Sequence, residues 1–424
     1  MKRTFPALAV ALAMALVAGA CGDDGGETAA DGSAGRGSDK PAVLVGMIGA
    51  RVGPVASAGV GVGDAISDWF QYVNANGGIN GRQVEVKEIE SEYQVPKGIE
   101  AYSKLKADGM AVALVAGTAL SDALTGPSAA DQIPIVFPGQ GNAGAVDGKK
   151  FPYAFPGAPT YPHQAAAAVK FVLDEWTAAG KTGKPRIVCL GWEPPPGQEY
   201  CAAVKASSEA VGATWVKQVT IPARAADVKP QILEAKASNP DFVFHSTLFS
   251  LAVAVMKTAC AEGLGNKLVT WHWAVSENEL NGAGTQCAEG LTGTAMGKLP
   301  ATNPAPLQKL KDAAAKGGAQ LSPSAGNNQL YANGLIAALL ISEALRNADA
   351  KVGDGKIKGS DVKAGFEQIS AFTGDGILCP TTITAEDHGG NRALNVYRIK
   401  GGVFTPVAEC IEGPKLAGIE PQLG

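Results

Sequence analysis

Short apolar runs alternate with helical apolar spacing from residue 42 onward. Ala42 to Ile48 is an apolar run, and Ile66, Trp69 and Val73 follow it at the three- and four-residue spacing of one helix face. A further helical pattern then leads to the apolar run Val112 to Val115. Because buried strands that alternate with amphipathic helices are typical of doubly wound folds, this half of the chain predicts a parallel sheet covered by helices.

The same alternation begins again after residue 160. Further strands are predicted at Arg186–Leu190, Thr214–Val219, Asp241–His245 and Leu268–Trp273. The later helical patterns, Pro306–Ala315 and Asn328–Ala344, come with too few strands for a third domain, so we expect them to return to the first lobe. The predicted fold class is α/β, with two doubly wound lobes, a hinge and a cleft between the lobes.

The N-terminus has the features of a targeting segment. Lys2 and Arg3 precede the apolar run Leu8–Ala18, and the small residues Gly19 and Ala20 come directly before Cys21. This ending resembles a bacterial lipobox, which implies a signal peptide over residues 1–20 and lipidation of Cys21; ordinary secretion is the alternative. Residues 21–41 contain little apolar bulk and are predicted to form a flexible tether. We therefore expect an extracytoplasmic protein held at the cell membrane by a lipid anchor.

Composition excludes several functional classes. The net charge is −4, charged residues make up 18% of the chain, and no basic block occurs, so a nucleic-acid partner is not expected. Gly59, Gly61 and Gly63 lack the G-x-G-x-x-G spacing of a dinucleotide site. The chain also lacks the G-x-S-x-G, H-E-x-x-H and P-loop signatures. We expect no catalysis, no cofactor and no metal site.

Six cysteines remain after Cys21. An even number in an exported chain favours disulfides, although six cysteines allow about 15 pairings. Pairing sequence neighbours is the simplest hypothesis. It gives Cys189–Cys201, Cys260–Cys287 and Cys379–Cys410.

Two polar loops follow predicted strands of the first lobe. One holds Thr118 and Ser121 at the start of a helix, and the other runs from Gly139 to Asn142. Because the carboxyl ends of parallel strands share one edge, both loops are expected at the cleft. Unpaired N–H groups at a helix start favour a carboxylate or another polar acceptor there. Ser121 has the alternative role of a helix N-cap.

Five segments in a fixed order resemble the type I periplasmic solute-binding proteins of the branched-chain amino-acid and amide class. They are VGPVASAG, NANGGINGR, LVAGTALSDA, IVFPGQGN and DHGGNRALNVYRIKGGVFTPV. The resemblance, from Ala42 to Val407, implies a monomeric two-lobed clamp that hands a small solute to the permease subunits of an ABC importer. It also implies crossings near Thr160, Pro300 and Asp375.

These crossings define the predicted domains. The first lobe takes residues 42–159 and 300–375, and the second takes residues 160–299 and 376–424. A sensory module that signals to a membrane partner uses the same fold and remains an alternative role, because function depends on the site and not on the fold.

The resemblance also implies ligand contacts in the first lobe. In the family, the loop after the third strand holds the ligand carboxylate through a serine and backbone N–H groups, and Thr118 and Ser121 stand there. Gln140, Gly141 and Asn142 occupy the loop after the fourth strand.

The second lobe departs from the family pattern. Pro196 stands where amino-acid binders have a tyrosine, Leu248 falls at an aromatic position, and His272 falls where an acid pairs with the ligand ammonium. A desolvated ammonium without a carboxylate is poorly stabilised. Unless Glu193 or Glu277 substitutes, the expected ligand is a small polar or carboxylate-bearing solute and not a standard α-amino acid; a branched-chain amino-acid binder is the alternative.

Four further residues are candidate ligand contacts. Ala58 lies in the first glycine-rich loop, and His245 precedes Leu248. Tyr161 and Trp192 either stack on the ligand or fill the hinge surface. His272 lies between Trp271 and Trp273, so one of the two alternating faces points to the cleft and the other to the core.

Overall fold

The computed structural model describes residues 40–414 except Val275, Ala319 and Asn327, so the predicted signal peptide, Cys21 and the tether up to residue 39 lie outside the described residues. The strands are β1 (Val43–Gly49), β2 (Val84–Glu90), β3 (Val112–Val115), β4 (Ile135–Val136), β5 (Ala154–Phe155), β6 (Arg186–Trp192), β7 (Thr214–Ile221), β8 (Phe242–His245), β9 (Leu268–Thr270), β10 (Thr292–Ala295), β11 (Ala393–Lys400) and β12 (Val403–Glu412).

The helices account for most of the remaining regular structure. They are α1 (Ala56–Ala75), α2 (Val95–Ala107), α3 (Thr118–Asp131), α4 (Tyr161–Ala178), α5 (Pro195–Ala210), α6 (Lys229–Ala237), α7 (Phe249–Ala261), α8 (Glu277–Ala283), α9 (Thr285–Ala288), α10 (Ala305–Ala315), α11 (Gln329–Val352) and α12 (Gly359–Phe366). Within residues 40–414, none of the described helices is both long enough and apolar enough to cross a membrane.

The first sheet is parallel and has the strand order β2-β1-β3-β4-β5. All four residues of β3 are buried, as expected for a strand covered by helices on both faces. Side chains of α2 and α3 pack on one face, and those of α1, α10, α11 and α12 pack on the other. Because the chain moves outward from β1 to β2 and then returns to β3, the carboxyl ends of β1 and β3 form a switch point.

The second sheet has the order β12-β11-β10-β9-β8-β6-β7. Its first five strands in the chain are parallel, and the antiparallel hairpin of β11 and β12 closes one edge. A second switch point lies between β6 and β8. The predicted fold class of two doubly wound α/β lobes is therefore confirmed.

The chain passes from one lobe to the other between β5 and α4, between β10 and α10, and again before β11. The third passage comes later than the predicted crossing near Asp375. Ile383 is buried in the core of the first lobe, and Nδ1 of His388 lies 2.9 Å from the carbonyl oxygen of Ala154. Packing against β5 therefore keeps this segment on the first lobe up to His388.

The three closely spaced glycines of α1 serve packing. A Cβ atom at Gly59 would lie 2.0 Å from the carbonyl oxygen of Ala50, at the end of β1. On the facing helix α11, a Cβ atom at Gly334 would lie 2.5 Å from the carbonyl oxygen of Val62. The lack of side chains thus lets α1 approach both β1 and α11 closely.

The six cysteines form the three disulfides predicted from sequence neighbours. The bonds are Cys189–Cys201, Cys260–Cys287 and Cys379–Cys410. The first joins β6 to α5 and the second joins α7 to α9, both within the second lobe. The third joins Cys379, in the segment before the last passage between the lobes, to β12.

Candidate functional site

A cavity lies where the switch points of the two sheets face each other. Ile48 and Val115, at the ends of β1 and β3, line it from the first lobe. Trp192, at the end of β6, and Leu248, just after β8, line it from the second. Including the part open to solvent, it encloses about 820 Å³ of empty space. Doubly wound folds bind their ligands at this position, outside the carboxyl ends of the strands at a switch point.

The cavity lining is apolar and aromatic. Its aromatic residues are Tyr93, Tyr161, Trp192, Phe249, Trp271 and Trp273. Its side-chain amides belong to Gln140 and Asn333. Among the described residues that line the cavity there is no aspartate, glutamate, lysine, arginine or histidine. A ligand inside it would therefore be held by packing and by a small number of uncharged hydrogen-bonding groups.

Half of the predicted ligand contacts line this cavity. They are Ala58, Gln140, Tyr161, Trp192, Pro196 and Leu248. These residues come from elements that are far apart in the sequence, and the fold brings them together between the lobes. Their contact with a ligand remains a prediction.

The predicted carboxylate seat after β3 is occupied by a side chain of the protein itself. The backbone N–H of Gly117 donates to Oε1 of Gln140 at 2.8 Å, and Nε2 of Gln140 donates to the carbonyl oxygen of Val115 at 2.8 Å. One amide thus pairs with both backbone groups at the strand end. An anion would have to displace Gln140 to reach the N–H of Gly117.

Thr118 and Ser121 are buried but do not line the cavity. The Ser121 hydroxyl donates to the carbonyl oxygen of Thr118 at 2.8 Å, and no side-chain cap is formed at the start of α3. Oγ1 of Thr118 accepts from the backbone N–H of Gly141 at 3.2 Å. Thr118 thus joins the two polar loops to each other, and contact of Thr118, Ser121 and Gly141 with a ligand remains a prediction.

Asn142 is also outside the cavity lining. It has φ 61° and is 2% exposed, and neither polar atom of its amide has a hydrogen-bond partner among the described residues. Next to it, a Cβ atom at Gly141 would lie 2.3 Å from Oε2 of Glu199, which belongs to the second lobe. This loop therefore contacts the opposite lobe beside the cavity.

Two carboxyl groups meet near that loop and were not predicted from the sequence. Burial raises the pKa of Asp122 to about 6. Burial, and to a smaller degree the charge of Asp122, raises the pKa of Glu199 to about 7, while a hydrogen bond from the backbone of Ala143 opposes the shift. Asp122 lies on α3 and Glu199 on α5, 77 residues later, so only the folded chain reveals the pair.

His245 is fully buried and is not among the residues that line the cavity, so its contact with a ligand remains a prediction. Its Nδ1 lies 3.2 Å from Oγ1 of Thr247. Burial lowers the pKa of His245 to about 3, so the ring is neutral at physiological pH. It packs beneath the end of β8.

His272 is fully buried and is not among the residues that line the cavity, whereas its neighbours Trp271 and Trp273 line it. Nδ1 of His272 lies 2.6 Å from Oε1 of Gln164, and its carbonyl oxygen accepts from Nε2 of Gln329 at 2.6 Å. Burial lowers the pKa of His272 to about 3. The ring is therefore neutral at physiological pH, and its contact with a ligand remains a prediction.

Neither proposed substitute acid lines the cavity. Glu193 is exposed and accepts from the backbone N–H of Ala223 at 2.9 Å. Glu277 accepts from the backbone N–H of Gln329 at 3.0 Å. Among the described residues there is also no group of three or more His, Cys, Asp or Glu side chains that could hold a metal ion.

Sequence reasoning missed Tyr93 and Asn333. Tyr93 has φ 60° in the turn before α2, and its ring packs against Gly117. That backbone conformation is not readable from residue spacing. Asn333 was detectable in principle, since it is a polar residue within the apolar run Leu330–Ile341 of α11.

Comparison with known proteins agrees with this architecture. A model of the family described as periplasmic binding protein matches residues 42–403. A comparison with curated protein sequences found no match. A solved structure described as an ABC transporter permease from the Pseudomonas fluorescens group is 26% identical, covers 89% of this chain and 93% of that chain, and has a TM-score of 0.79.

Two further solved structures share the fold at lower identity. A fatty acid ABC transporter substrate-binding protein from Thermomonospora curvata is 18% identical, covers 92% of this chain and 97% of that chain, and has a TM-score of 0.72. A branched-chain amino-acid ABC transporter protein from Thermus thermophilus, with bound valine, is 20% identical and has a TM-score of 0.74. The match covers 89% of this chain and 97% of that chain. Together with the two lobes and the cavity between them, these matches lead to one conclusion: the chain belongs to the periplasmic binding protein family.

Proposed function

We propose that this protein binds an uncharged solute with an apolar body between its lobes and delivers it to the permease subunits of an ABC importer. The proposed contacts are Ala58, Gln140, Tyr161, Trp192, Pro196 and Leu248, with Trp271 and Trp273. A ligand that touches both lobes favours closure by the difference between its affinities for the closed and open forms. Lipidation at Cys21 would hold the protein at the outer face of the cell membrane.

The absence of charged groups from the described cavity lining carries this proposal. A buried carboxylate or ammonium needs an opposite charge or several hydrogen bonds to replace its hydration. Aromatic rings and aliphatic side chains provide neither. An uncharged solute loses far less hydration and gains contact with the rings of Trp192, Trp271 and Trp273.

This proposed ligand differs from the one that the sequence predicts, which is a small polar or carboxylate-bearing solute other than a standard α-amino acid. Standard α-amino acids are disfavoured in both cases, here because the described cavity lining contains no acid to pair with the ammonium. A carboxylate is disfavoured as well, because Gln140 already accepts the N–H of Gly117.

The ligands named for the structural neighbours do not decide between classes. One neighbour is named for fatty acids and another contains valine, yet they are 18% and 20% identical to this chain. At that distance the likeness indicates the fold alone. The ligand class is therefore argued from this cavity.

Four probes test the ligand class. Phenylacetamide, phenylacetate and phenylalanine share an aromatic body and differ in charge, and leucine represents the branched-chain amino acids. Tryptophan fluorescence reports binding, since three tryptophans line the cavity. At pH 7 we expect saturable binding of phenylacetamide and weaker binding of the three charged probes.

A pair of variants tests where the probe binds. Ala58→Phe fills the cavity and should abolish the fluorescence change. Ser57→Phe introduces the same ring at an exposed position of the same helix and should leave binding intact. Tightest binding by leucine or phenylalanine would refute the proposed ligand class.

A further inference from the structure

An unpartnered amide lies in the part of the cavity formed by the first lobe. Asn333 belongs to α11, is 4% exposed and lines the cavity. Its Nδ2 atom has no hydrogen-bond partner among the described residues. A buried donor that is left unpaired costs about 1 to 3 kcal/mol of folding free energy, so its retention calls for an explanation.

The surroundings of Asn333 are apolar. Met47 of β1, Val62 of α1, Leu114 of β3 and Ala337 of α11 line the same part of the cavity. Met47, Leu114 and Ala337 also belong to the main core of the first lobe. The cavity therefore extends from the cleft between the lobes into the helix and sheet layers of the first lobe.

The position of Asn333 is fixed by close packing. The next residue, Gly334, lies so near α1 that an added Cβ atom would be 2.5 Å from the carbonyl oxygen of Val62. A donor on a long helix held this tightly is preorganised for one direction of hydrogen bonding. The amide group thus has the features of a specificity-determining group.

We propose that Asn333 donates a hydrogen bond to an uncharged acceptor oxygen of the solute, such as a ketone, amide or ester carbonyl, which reaches into the first lobe. This inference rests on the proposed function and deepens it. The solute then places a carbonyl group at Asn333 and its apolar body among the tryptophans. An analogue that lacks the carbonyl leaves the amide unpaired and loses affinity.

Acetophenone and ethylbenzene form a matched pair of probes, because they differ in a carbonyl group against a methylene group. The wild-type protein should bind acetophenone about tenfold more tightly than ethylbenzene, the ratio that one hydrogen bond to an otherwise unpaired donor produces. In Asn333→Leu the ratio should fall to about one, since the apolar side chain cannot discriminate between the probes.

Asn347→Leu is the matched control. Asn347 lies on the same helix outside the cavity, and its Nδ2 donates to the carbonyl oxygen of Gly365 at 3.0 Å. Asn347→Leu should keep the tenfold ratio between the affinities for the two probes. It should lower the Tm, because the hydrogen bond to Gly365 is lost. Asn333→Leu should raise or maintain the Tm of the ligand-free protein, because it removes an unpaired buried donor.

The outcomes separate the two levels of inference. An unchanged probe ratio in Asn333→Leu, or a Tm that falls as it does in Asn347→Leu, would overturn the role of Asn333 while the apolar ligand class stands. Failure of both probes to bind the wild-type protein would overturn the proposed ligand class and, with it, the role of Asn333.

Discussion

At the scale of single residues, Gln140 determines what the loop after β3 offers to a ligand. A helix start with unpaired N–H groups is a common anion site. Here the side-chain amide of Gln140 accepts from Gly117 and donates to Val115, so both backbone groups are paired without a ligand. A single residue thus removes an anion-binding group and leaves an uncharged lining.

Gln140→Ala should shift ligand preference toward anions. Truncation frees the N–H of Gly117 and should improve the affinity for phenylacetate relative to phenylacetamide by about fivefold, the effect of one charge-assisted hydrogen bond near the surface. Calorimetric titration of both probes measures the ratio. Gln308→Ala is the control, because the side chain of Gln308 donates to Asp312 and lies outside the cavity lining. An unchanged ratio in Gln140→Ala would show that this amide does not govern selectivity.

The predicted strand Leu268–Trp273 is too long, because β9 ends at Thr270 and the chain then turns, with the backbone N–H of Ala274 donating to the carbonyl oxygen of Trp271. Strand alternation therefore does not decide which of these side chains meet the cavity. Trp271 and Trp273 line it from the turn, while Gln164 and Gln329 hold His272. Those contacts join residues more than 50 positions apart, so local spacing does not contain them.

At the scale of elements, the tight contact between α1 and α11 supports the first-lobe wall of the cavity. Val62 of α1 and Asn333 and Ala337 of α11 line the cavity from these two helices. Glycine at position 334 allows the two helices to approach without a side chain between them. The contact links the stability of the lobe to the shape of the cavity.

Gly334→Val should be strongly destabilising. The added side chain would meet the carbonyl oxygen of Val62 and the Cβ atom of Ala65, so the helices must separate, at a cost of about 2 to 4 kcal/mol. Urea unfolding measures the loss. Ala350→Val, at an exposed position of the same helix, should cost about 0.5 kcal/mol through helix propensity alone. Equal effects of the two substitutions would contradict close packing at Gly334.

Elements that carry a clear apolar run or period were predictable, whereas β5 and α9 were not. Strands such as β1 and β6, and the helix α11, carry enough apolar positions to define a period. β5 has two residues and α9 has four, which is too few to show one. The late third passage between the lobes depends on the packing of Ile383 and His388, which is a tertiary effect.

At the scale of the whole molecule, the lobes meet beside the cavity through hydrogen bonds between uncharged groups. Asp122 and Glu199, the two carboxyl groups with raised pKa values, lie there as well. Nε1 of Trp273 donates to the carbonyl oxygen of Gly139 at 3.0 Å, and Gln329 bonds His272 across the hinge. Glu199 of the second lobe approaches Gly141 of the first. The state of ionisation of Glu199 therefore affects how the lobes meet.

Glu199 and Asp122 should contribute stability that falls as the pH rises from 5 to 8. The pKa of Glu199 is raised from 4.5 to about 7, and that of Asp122 from 3.8 to about 6. In this range the two carboxyl groups bind more protons in the folded protein than in the unfolded chain, so the stabilisation that they give at low pH is lost as the pH passes through their folded pKa values. His245 and His272, whose pKa values are lowered from 6.5 to about 3, contribute the opposite slope below pH 6.5, so the contribution of Glu199 is measured as a difference in Tm between the wild-type protein and a Glu199 variant at unit pH steps.

The Tm of Glu199→Gln relative to the wild-type protein should increase between pH 5 and pH 8, because the neutral amide has no proton to lose. Glu209→Gln, at an exposed position of the same helix, should keep the wild-type pH profile. A Tm difference between Glu199→Gln and the wild-type protein that does not increase with pH, or one that Glu209→Gln reproduces, would contradict the assignment of the effect to Glu199.

The central claim is that the cavity selects an uncharged, apolar-bodied solute. Its most direct test is the calorimetric comparison of phenylacetamide with phenylacetate and phenylalanine at pH 7. The uncharged cavity lining predicts that phenylacetamide binds at least about tenfold more tightly than either charged probe, since neither charge finds a partner there. Tighter binding of phenylacetate or phenylalanine would contradict the account.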